Sequence, residues 1–565
     1  MDFRFVAPAG GALTPGGHAD RPTGRCTLAN RGRLEQGERL TNALSRRRLN
    51  PMMTQDSSPL IVDPVRERSA REWWRWLPRL WWFGWSTVLL GSAFQHVPWR
   101  DEANWYLMMR EADAWTEVFG GAGYVRFTGA GWLWYAGFVW PLGALDVGIV
   151  WQSVVSAAMM AVAAGLALRL ERLPVWFVVV WFTSSFMMAY DWAVVGRGYS
   201  LSVMLAMAAL LRRQRTGRFA GALVGLLANT SAWGFVLAAA MAAGWVLVGD
   251  GPATASPGAG TPSSAGRFRA VIQRLRESPW MVLLFVVAVA TAIPHPEFVR
   301  VGHEPGVEHL MVMVRQSVFP FERGWWAPLA AVLLIVLPLG VLAAGRAWEG
   351  LVAVLAGLVG MSVIVSALHA GMPRHHGFVV VLLVVAVATS KVRREWFLIP
   401  LAAALVGTGL PAVLHFHGEE WDRRAAFSGG GEVAEFIRAM VPADATVVFS
   451  PNSVMAPVLV HLDPSVPARV IQMEEPGTTR RYFLENASHA RGLANATDES
   501  RLSVVLAAAG PGGELPWIVA TQAGLPADLS LLARLGYVPA FQSTRRVFGA
   551  NDESYVVLAP PPIRR

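Results

Sequence analysis

The chain is almost without cysteine. Cys26 is the single cysteine among 565 residues, which excludes a disulfide framework and any metal site built from cysteines. Residues 416–565 contain no Gly-rich phosphate loop, no zinc-ligand spacing and no nucleophile elbow. No basic helix or basic-aromatic module occurs, so the net charge of +9 does not indicate a nucleic-acid partner. These absences exclude several common classes of soluble enzyme and binding protein.

Apolar sequence, by contrast, is abundant. Apolar residues make up 53% of the chain, 25 residues are Trp, and the mean hydropathy is +0.38. Many apolar runs are about as long as a bilayer-spanning helix, and tryptophans cluster near their ends. We therefore predict a mainly α, polytopic membrane protein.

The composition changes along the chain and predicts its domains. Residues 1–70 are polar, rich in Gly and Arg and without periodicity, which predicts a disordered basic tail. A true start at Met52 or Met53 is the alternative interpretation of most of that tail. Residues 71–415 form the predicted transmembrane domain, with a cytoplasmic Pro/Ser/Gly linker at 249–278.

Residues 416–565 alternate helix-like and strand-like segments, which predicts a small α/β domain with a mixed sheet. The predicted elements are helices at Glu432–Met440 and Leu529–Leu535 and strands at Thr446–Phe449, Arg469–Met473, Trp517–Thr521 and Tyr555–Leu558.

Basic loops predict the topology. Arginines cluster before the first span, near residues 78–97, so the N-terminus is predicted to be cytoplasmic. Placing the other basic loops on that side gives about eleven spans, or up to about thirteen, and an extracytoplasmic C-terminal domain. The number of crossings in residues 131–168 stays open, and we predict a bent or re-entrant piece around Pro141–Gly143. The later spans are predicted near 174–190, 199–211, 219–228, 232–248, 279–294, 327–345, 350–369, 378–390 and 396–415.

This topology collects charged residues on the outer face. Asp101 and Glu102 stand just past the first apolar segment, Asp191 and Arg197 share a later connection, and Arg374–His376 precede a late span. A charge beside a bilayer is costly unless water, a cavity or a partner receives it. Simple solvation in loops is the alternative interpretation, which is weaker because several of these loops are very short.

The outer loop from residue 295 to 326 also carries charge. Glu308, His309 and Arg315 lie at helical separations, which predicts an amphipathic helix on the outer surface. Two interpretations stay open for it, an acceptor-binding or lid segment and a solvated interfacial helix.

Two motifs resemble those of GT-C membrane glycosyltransferases, which include the protein O-mannosyltransferase and aminoarabinose-transferase groups. Trp99-Arg100-Asp101-Glu102-Ala103 is similar to the Asp-Glu motif of their first outer loop. Arg197-Gly198-Tyr199-Ser200-Leu201 is similar to an Arg-x-Tyr-Ser/Ala-Leu signature at the start of a transmembrane helix.

A closer resemblance is to a bacterial subgroup with three ordered motifs: Arg-Asp-Glu-Ala-Gln-Ala-Trp, Gly-His-Pro-x-Leu-Trp-Tyr and Arg-His-His-Gly-Phe. Their counterparts here are Arg100–Trp105, Gly129–Tyr135 and Arg374–Phe378. Ala130 and Gly131 stand where His and Pro are usual, so no role of that His is carried over. The resemblance covers roughly residues 75–420 and implies fold more than substrate.

The resemblance implies a bacterial cytoplasmic-membrane enzyme that moves a sugar from a polyprenyl-phosphate donor to a lipid, glycan or protein acceptor, with inversion. Asp101 is the expected base, and Glu102 is expected to orient it or bind the acceptor. Arg197 and Arg374 are expected at the donor phosphate. The substrate- and phosphate-binding set is completed by Asp191, Tyr199, His375 and His376.

Some of these roles stay open. Asp191 has the alternative of simply pairing with Arg197, and His375 and His376 have the alternative of contacting lipid headgroups. No metal cluster is predicted, because the acidic residues and histidines lack diagnostic spacing. No cofactor is firmly implied, and participation of a divalent cation remains open.

Two other functions are alternatives to a transferase. A transporter or lipid-carrier flippase would also be polytopic, but its site is expected near the bilayer midplane, often within inverted repeats. Here the charges lie at span ends, and no internal repeat occurs. An inactive transferase-like scaffold whose C-terminal domain binds a partner is the second alternative, suggested by Ala130 in place of the usual His.

Overall fold

The structure is a computed structural model. Residues described are 64–96, 98–111, 131–248, 264–292, 307–319, 324–367, 373–390, 395–421, 425–426, 428–451, 455–463, 466–467, 469–473, 498–510, 513–521, 529–543, 546–547 and 554–562. Ala130, residues 1–63, the linker before Ser264 and the loop before Val307 lie outside them. The chain divides into two units, Met1–Arg75 and Trp76–Arg565. The contacts described below are all within the second unit.

Helices dominate residues 64–421. They are Pro64–Gln95, Arg100–Glu111, Trp132–Trp134, Trp140–Ala144, Val150–Ala167, Val175–Ser184, Trp192–Val194, Tyr199–Thr216, Gly221–Leu227, Ala232–Val248, Ser264–Arg276, Pro279–Ala292, Val307–Val318, Trp326–Ala344, Trp348–Ala367, Pro373–His376, Phe378–Thr389, Glu395–Ala404 and Leu410–Trp421. Wider π-helical turns occur at Tyr135–Val139, Met187–Asp191 and Leu405–Gly409.

Several of these helices can cross a membrane. Four are long and apolar enough by length and composition: Val150–Ala167, Trp326–Ala344, Trp348–Ser366 and Phe397–His417. A fifth candidate is the pair Val175–Ser184 and Met187–Val194, which is bent by 72° at its break. Shorter apolar helices at 232–248, 279–291 and 374–389 also coincide with predicted spans. The apolar helices indicate a multi-pass membrane protein, whereas the number of crossings and the orientation stay predictions.

The helix within residues 131–168 breaks just after the piece predicted to bend, Pro141–Gly143. The chain stays helical past Pro141 and breaks only after Ala144. Proline has no N–H to donate, and the wide π-turn Tyr135–Val139 just before it already departs from regular hydrogen bonding. The break occurs instead at Asp146 and Gly148, which have φ angles of 50° and 81°. Asp and Gly are among the residues that adopt this left-handed conformation most readily.

Small residues let the long helices approach closely. Helix Ala232–Val248 packs along helix Trp348–Ala367. A Cβ added at Gly244 would lie 2.6 Å from the carbonyl oxygen of Glu349. Such backbone proximity is typical of helix packing in membranes, where van der Waals contact drives association.

The C-terminal region combines helices with a sheet. Its helices are Gly430–Met440, Met455–Leu459, Asp498–Ala507 and Leu529–Arg534. Its five-stranded sheet has the order Arg469–Gln472, Thr446–Ser450, Trp517–Thr521, Tyr555–Ala559 and Val538–Gln542. The first three strands are parallel and the last two pair antiparallel, which confirms the predicted mixed sheet. Ala425–Ala426 and Arg546–Val547 form a separate parallel pair.

Both faces of this sheet are covered. Val447 and Phe449 belong to the same core as the buried residues of helix Gly430–Met440, whereas the intervening Val448 packs with Val505 and Leu532 of the other helices. This alternation is the two-residue period of a strand. Helix Met455–Leu459 also packs on helix Arg100–Glu111, so the α/β region contacts the element that carries Asp101.

Candidate active site

Glu102 fixes the start of helix Arg100–Glu111. Its buried carboxylate accepts hydrogen bonds from the backbone N–H of Trp99 at 3.0 Å and of Gly196 at 2.5 Å. The same carboxylate lies 2.9 Å from Nε2 of His96. The bond back to Trp99, three residues earlier, is the glutamate half of a capping box. Glu102 therefore joins this helix to the chain around residue 196.

These partners also keep Glu102 charged. Burial raises the pKa of the carboxyl, but His96 and the two backbone N–H groups outweigh burial, so its pKa lies below the ordinary value. Both carboxylate oxygens are engaged by protein donors. Of the two roles expected for Glu102, orienting its neighbour fits this arrangement and direct contact with an acceptor does not.

Asp101 lies on a more open side of the same helix. Its side chain is 26% exposed and forms an ion pair with Arg197, which is 16% exposed. Burial disfavours the charge on Arg197, but Asp101 and Tyr199 outweigh that effect and hold the pKa of the guanidinium above its ordinary value. Among the described residues, the buried Nε of Arg197 has no hydrogen-bond partner.

The loop that carries Arg197 is held by a neighbouring helix. The hydroxyl of Ser156, on helix Val150–Ala167, donates to the carbonyl oxygen of Trp192 at 2.9 Å and lies 2.9 Å from the Ser200 hydroxyl. Gly198 is needed in this loop, because a Cβ there would lie 2.6 Å from the carbonyl oxygen of Thr230. Close packing on both sides therefore fixes the position of this loop.

Arg374 approaches from a third part of the chain. Its Nε lies 4.0 Å from Oδ2 of Asp191, and its carbonyl oxygen accepts a 2.8 Å hydrogen bond from Nε1 of Trp192. Its buried Nη1 has no hydrogen-bond partner among the described residues. The alternative pairing of Asp191 with Arg197 is wrong. The backbone becomes extended at Val195, after the helix that follows Asp191, and Arg197 pairs with Asp101 instead.

The two guanidinium groups converge on one aromatic ring. Cζ of Arg374 lies 4.4 Å from the ring centroid of Trp99, and Cζ of Arg197 lies 5.0 Å from it. Both distances are in the range of cation–π interaction. Trp99 is only 6% exposed, so water screens these contacts weakly.

The two histidines are buried in the same region. Nε2 of His375 lies 2.9 Å from the hydroxyl of Tyr199, and the His375 ring stacks on Trp233 with centroids 5.2 Å apart. His376 is fully buried, and its Nδ1 lies 2.9 Å from Oε1 of Gln316. Because an amide oxygen only accepts, Nδ1 of His376 is the donor. Burial of both rings argues against contact with lipid headgroups.

Gln316 belongs to the amphipathic helix expected in the outer loop. The structure confirms a helix there, at Val307–Val318, and its residues Met313 and Ser317 are buried. This helix packs on Pro373–His376 and on the long helices beside it. It is therefore more than a solvated surface helix, because one side contacts the histidine motif.

The contacts connect most of the residues singled out in the sequence. Asp101 pairs with Arg197, Asp191 lies near Arg374, and Tyr199 binds His375. Glu102 joins through the backbone of Gly196, while His376 points to Gln316. Ala130 lies outside the described residues. Within them, no three His, Cys, Asp or Glu side chains could together hold a metal ion.

Four residues that structure this site were missed. His96, Trp99, Trp233 and Gln316 contact Glu102, the arginines and the histidines. Trp99 lies two residues before Asp101, and His96 lies six residues before Glu102, so both are local to the Asp-Glu motif. Trp233 and Gln316 depend on contacts between distant parts of the chain, which spacing does not reveal.

The structure is similar to that of a solved protein. That protein is ArnT from Cupriavidus metallidurans, solved bound to undecaprenyl phosphate. The TM-score is 0.50 at 12% sequence identity, and the match covers 85% of this chain and 97% of that one. No family model matches the chain, and no curated protein matches it. The comparison therefore shows an overall fold similar to that of ArnT and leaves chemistry to the site.

Proposed function

We propose that the protein is an integral membrane glycosyltransferase. It takes a sugar from a polyprenyl-phosphate donor and passes it, with inversion, to a cell-envelope acceptor at the outer face of the cytoplasmic membrane. The observation that carries this proposal is the convergence of Arg197 and Arg374 beside Asp101 and Asp191. The GT-C type of fold supports it, and so does the lipid phosphate bound to the structural neighbour.

The arginines fit a phosphate. A guanidinium stays charged near lipid, and its fork of N–H donors matches phosphate oxygens. Arg197 and Arg374 each keep one buried nitrogen without a hydrogen-bond partner among the described residues. A buried donor without a partner is unfavourable. An anion that supplies oxygens to both nitrogens would remove that deficit.

Asp101 fits the role of the general base. It is the more exposed of the two adjacent carboxylates, since Glu102 is buried and bound by three protein donors. The ion pair with Arg197 makes the Asp101 carboxylate a weaker base. A donor phosphate bound to Arg197 would offset part of that effect, so donor binding prepares the base.

The transfer then proceeds in one displacement. The acceptor hydroxyl loses its proton to Asp101 while its oxygen attacks the anomeric carbon of the donor sugar. The bond from that carbon to the phosphate oxygen breaks on the opposite side, and its electron pair leaves on the phosphate. The arginines stabilise the phosphate charge that develops. A positioned general base contributes roughly 10²–10⁴-fold to such a step.

Transport remains a second candidate because of one observation. Asp191 lies in the span candidate that is bent by 72°, and broken helices with polar residues are typical of transporter sites. The two candidates differ in product, since a transferase forms a new glycosidic bond and a transporter only moves its substrate.

The test compares envelope glycans and lipids from cells with and without the gene by mass analysis. A transferase predicts that one sugar is missing from an otherwise complete acceptor, and that its lipid-linked precursor accumulates. Purified protein in nanodiscs, given undecaprenyl phosphate as the probe, should bind it. An unchanged envelope together with no binding of the probe would contradict the proposed function.

A further inference from the structure

We infer that Trp99 is a positioning residue that holds Arg197 and Arg374 together as one phosphate-binding unit. This inference rests on the proposed function for the identity of the ligand. It deepens that function by naming the residue that fixes the spacing of the two arginines. Neither the Asp-Glu motif nor its resemblance assigns a role to Trp99.

The position of Trp99 is fixed by its backbone. Its N–H donates to Glu102 at 3.0 Å, and its carbonyl oxygen accepts from the N–H of Ala103 at 3.0 Å. These two bonds form the first turn of the helix that carries Asp101. The backbone of Trp99 cannot move far without unwinding that turn, and its burial, with 6% exposed, restricts rotation of the indole. Its ring is therefore a stable surface for the two guanidinium groups.

The contacts of Trp99 differ in kind from those of the carboxylates. Asp101 and Asp191 attract the arginines through N–H groups at the guanidinium edge, next to the nitrogens that a phosphate would bind. An aromatic face attracts a cation through its π-electrons and leaves the N–H groups at the guanidinium edge available. Trp99 can therefore hold both arginines in the free enzyme and in the donor complex.

Trp99 also reduces the repulsion between two buried cations. Both guanidinium carbons lie within 5.0 Å of one ring centroid, so the two charges are close together in a region of low water content. The negative face of an indole offsets part of this repulsion. Without the ring, the arginines are expected to separate and to bind one phosphate less well.

The binding test uses three variants in nanodiscs, with undecaprenyl phosphate as the probe. Trp99→Leu removes the aromatic face and should weaken binding about tenfold, which corresponds to ~1.4 kcal/mol. Trp99→Phe keeps a smaller face and should recover part of the affinity. Trp181→Leu is the matched control, because Trp181 is fully buried among Phe177 and Phe182. It should lower thermal stability and leave affinity unchanged.

The outcomes separate the inference from the proposed function. Affinity that is equal in wild type and Trp99→Leu would overturn the role of Trp99 while leaving the function intact. Equal weakening in Trp99→Leu and Trp181→Leu would also overturn it, because general loss of packing would then explain the effect. No binding by the wild type would instead contradict the lipid-phosphate donor.

A double-mutant cycle tests the contact without any ligand. Thermal unfolding is measured for Trp99→Leu, Arg374→Met and the double variant. If the ring stabilises the guanidinium, the double variant should lose less stability than the two single losses together. Additive losses would overturn the inference whether or not the protein binds the probe.

Discussion

Helix Tyr199–Thr216 has an arginine in an ion pair near each of its ends. Near its end, Arg213 donates through both Nη atoms to both carboxylate oxygens of Glu349. Just before its start, Arg197 pairs with one oxygen of Asp101. The two pairs are similarly exposed. The side chains of Arg213 and Glu349 are 21% and 17% exposed, and those of Arg197 and Asp101 are 16% and 26% exposed. The two pairs differ in their hydrogen bonding: the pair of Arg213 and Glu349 has two hydrogen bonds, and the pair of Arg197 and Asp101 has one.

Arg213 and Glu349 form a bidentate ion pair that joins two helices and supplies hydrogen bonds to both carboxylate oxygens. Arg197 and Arg374 each retain a buried nitrogen without a partner among the described residues, and the contact of Arg374 with Asp191 is long at 4.0 Å. The two regions therefore differ in unused donor capacity rather than in burial. This difference also provides matched controls.

The largest expected effect comes from removing the base. Asp101→Asn keeps the shape of the side chain but cannot take a proton, so the transfer rate should fall by at least about 10²-fold. Glu349→Gln, in the structural pair, should lower stability but retain turnover per folded molecule. The rate is measured on purified protein whose folding is verified by its melting curve. If Asp101→Asn turns over within a few-fold of the wild-type rate, Asp101 is not the base and another residue takes that role.

The next effect concerns the phosphate. Lysine cannot reproduce the guanidinium fork, so Arg197→Lys and Arg374→Lys should each raise the apparent KM for the donor about tenfold and leave acceptor KM nearly unchanged. Alanine should be worse, by roughly 1.5–3 kcal/mol for each charged hydrogen bond lost. Arg213→Lys should leave both constants unchanged. A shift in acceptor KM instead would reverse the assignment of the two substrates.

Glu102 should affect stability with a defined pH dependence. Because its folded pKa is below the ordinary value of 4.5, its charge stabilises the fold fully above pH 4.5, and that stabilisation is lost as pH falls below this value. Glu102→Gln should therefore lower stability at pH 7 by about 1–3 kcal/mol, and the difference from wild type should shrink in acid. Melting curves of wild type and Glu102→Gln, recorded at pH 7 and below pH 4.5, measure this difference in stability. A difference independent of pH would contradict an ionised Glu102.

The smallest expected effect on the protein comes from cysteine labelling, which tests which residues face the outside of the membrane. In a chain with Cys26→Ala, single cysteines replace Met440 and Phe268, which are 62% and 67% exposed. The basic loops predict that Met440→Cys is labelled from outside and Phe268→Cys only after the membrane is opened. Activity should not change. Labelling of the second position from outside would reverse the proposed faces of the two ion-pair regions.

Much of the fold was predictable because local patterns encode it. Apolar runs gave the positions of most long helices, and alternating apolar residues gave strands such as Thr446–Ser450 and Trp517–Thr521. The piece expected to bend around Pro141–Gly143 is followed directly by a helix break at the left-handed residues Asp146 and Gly148. Strand Val538–Gln542 and helix Asp498–Ala507 were missed; the strand lies at a sheet edge and is largely exposed, which weakens its pattern.

The sequence by itself determined the class of protein, the apolar helices and the residue types able to bind phosphate, since these depend on composition and short-range spacing. Only the tertiary structure decided the partners. It paired Arg197 with Asp101 rather than Asp191, fully engaged Glu102, and brought Arg374 to the ring of Trp99. Those contacts join residues far apart in the chain, and packing among several helices selects them, so no local pattern records them.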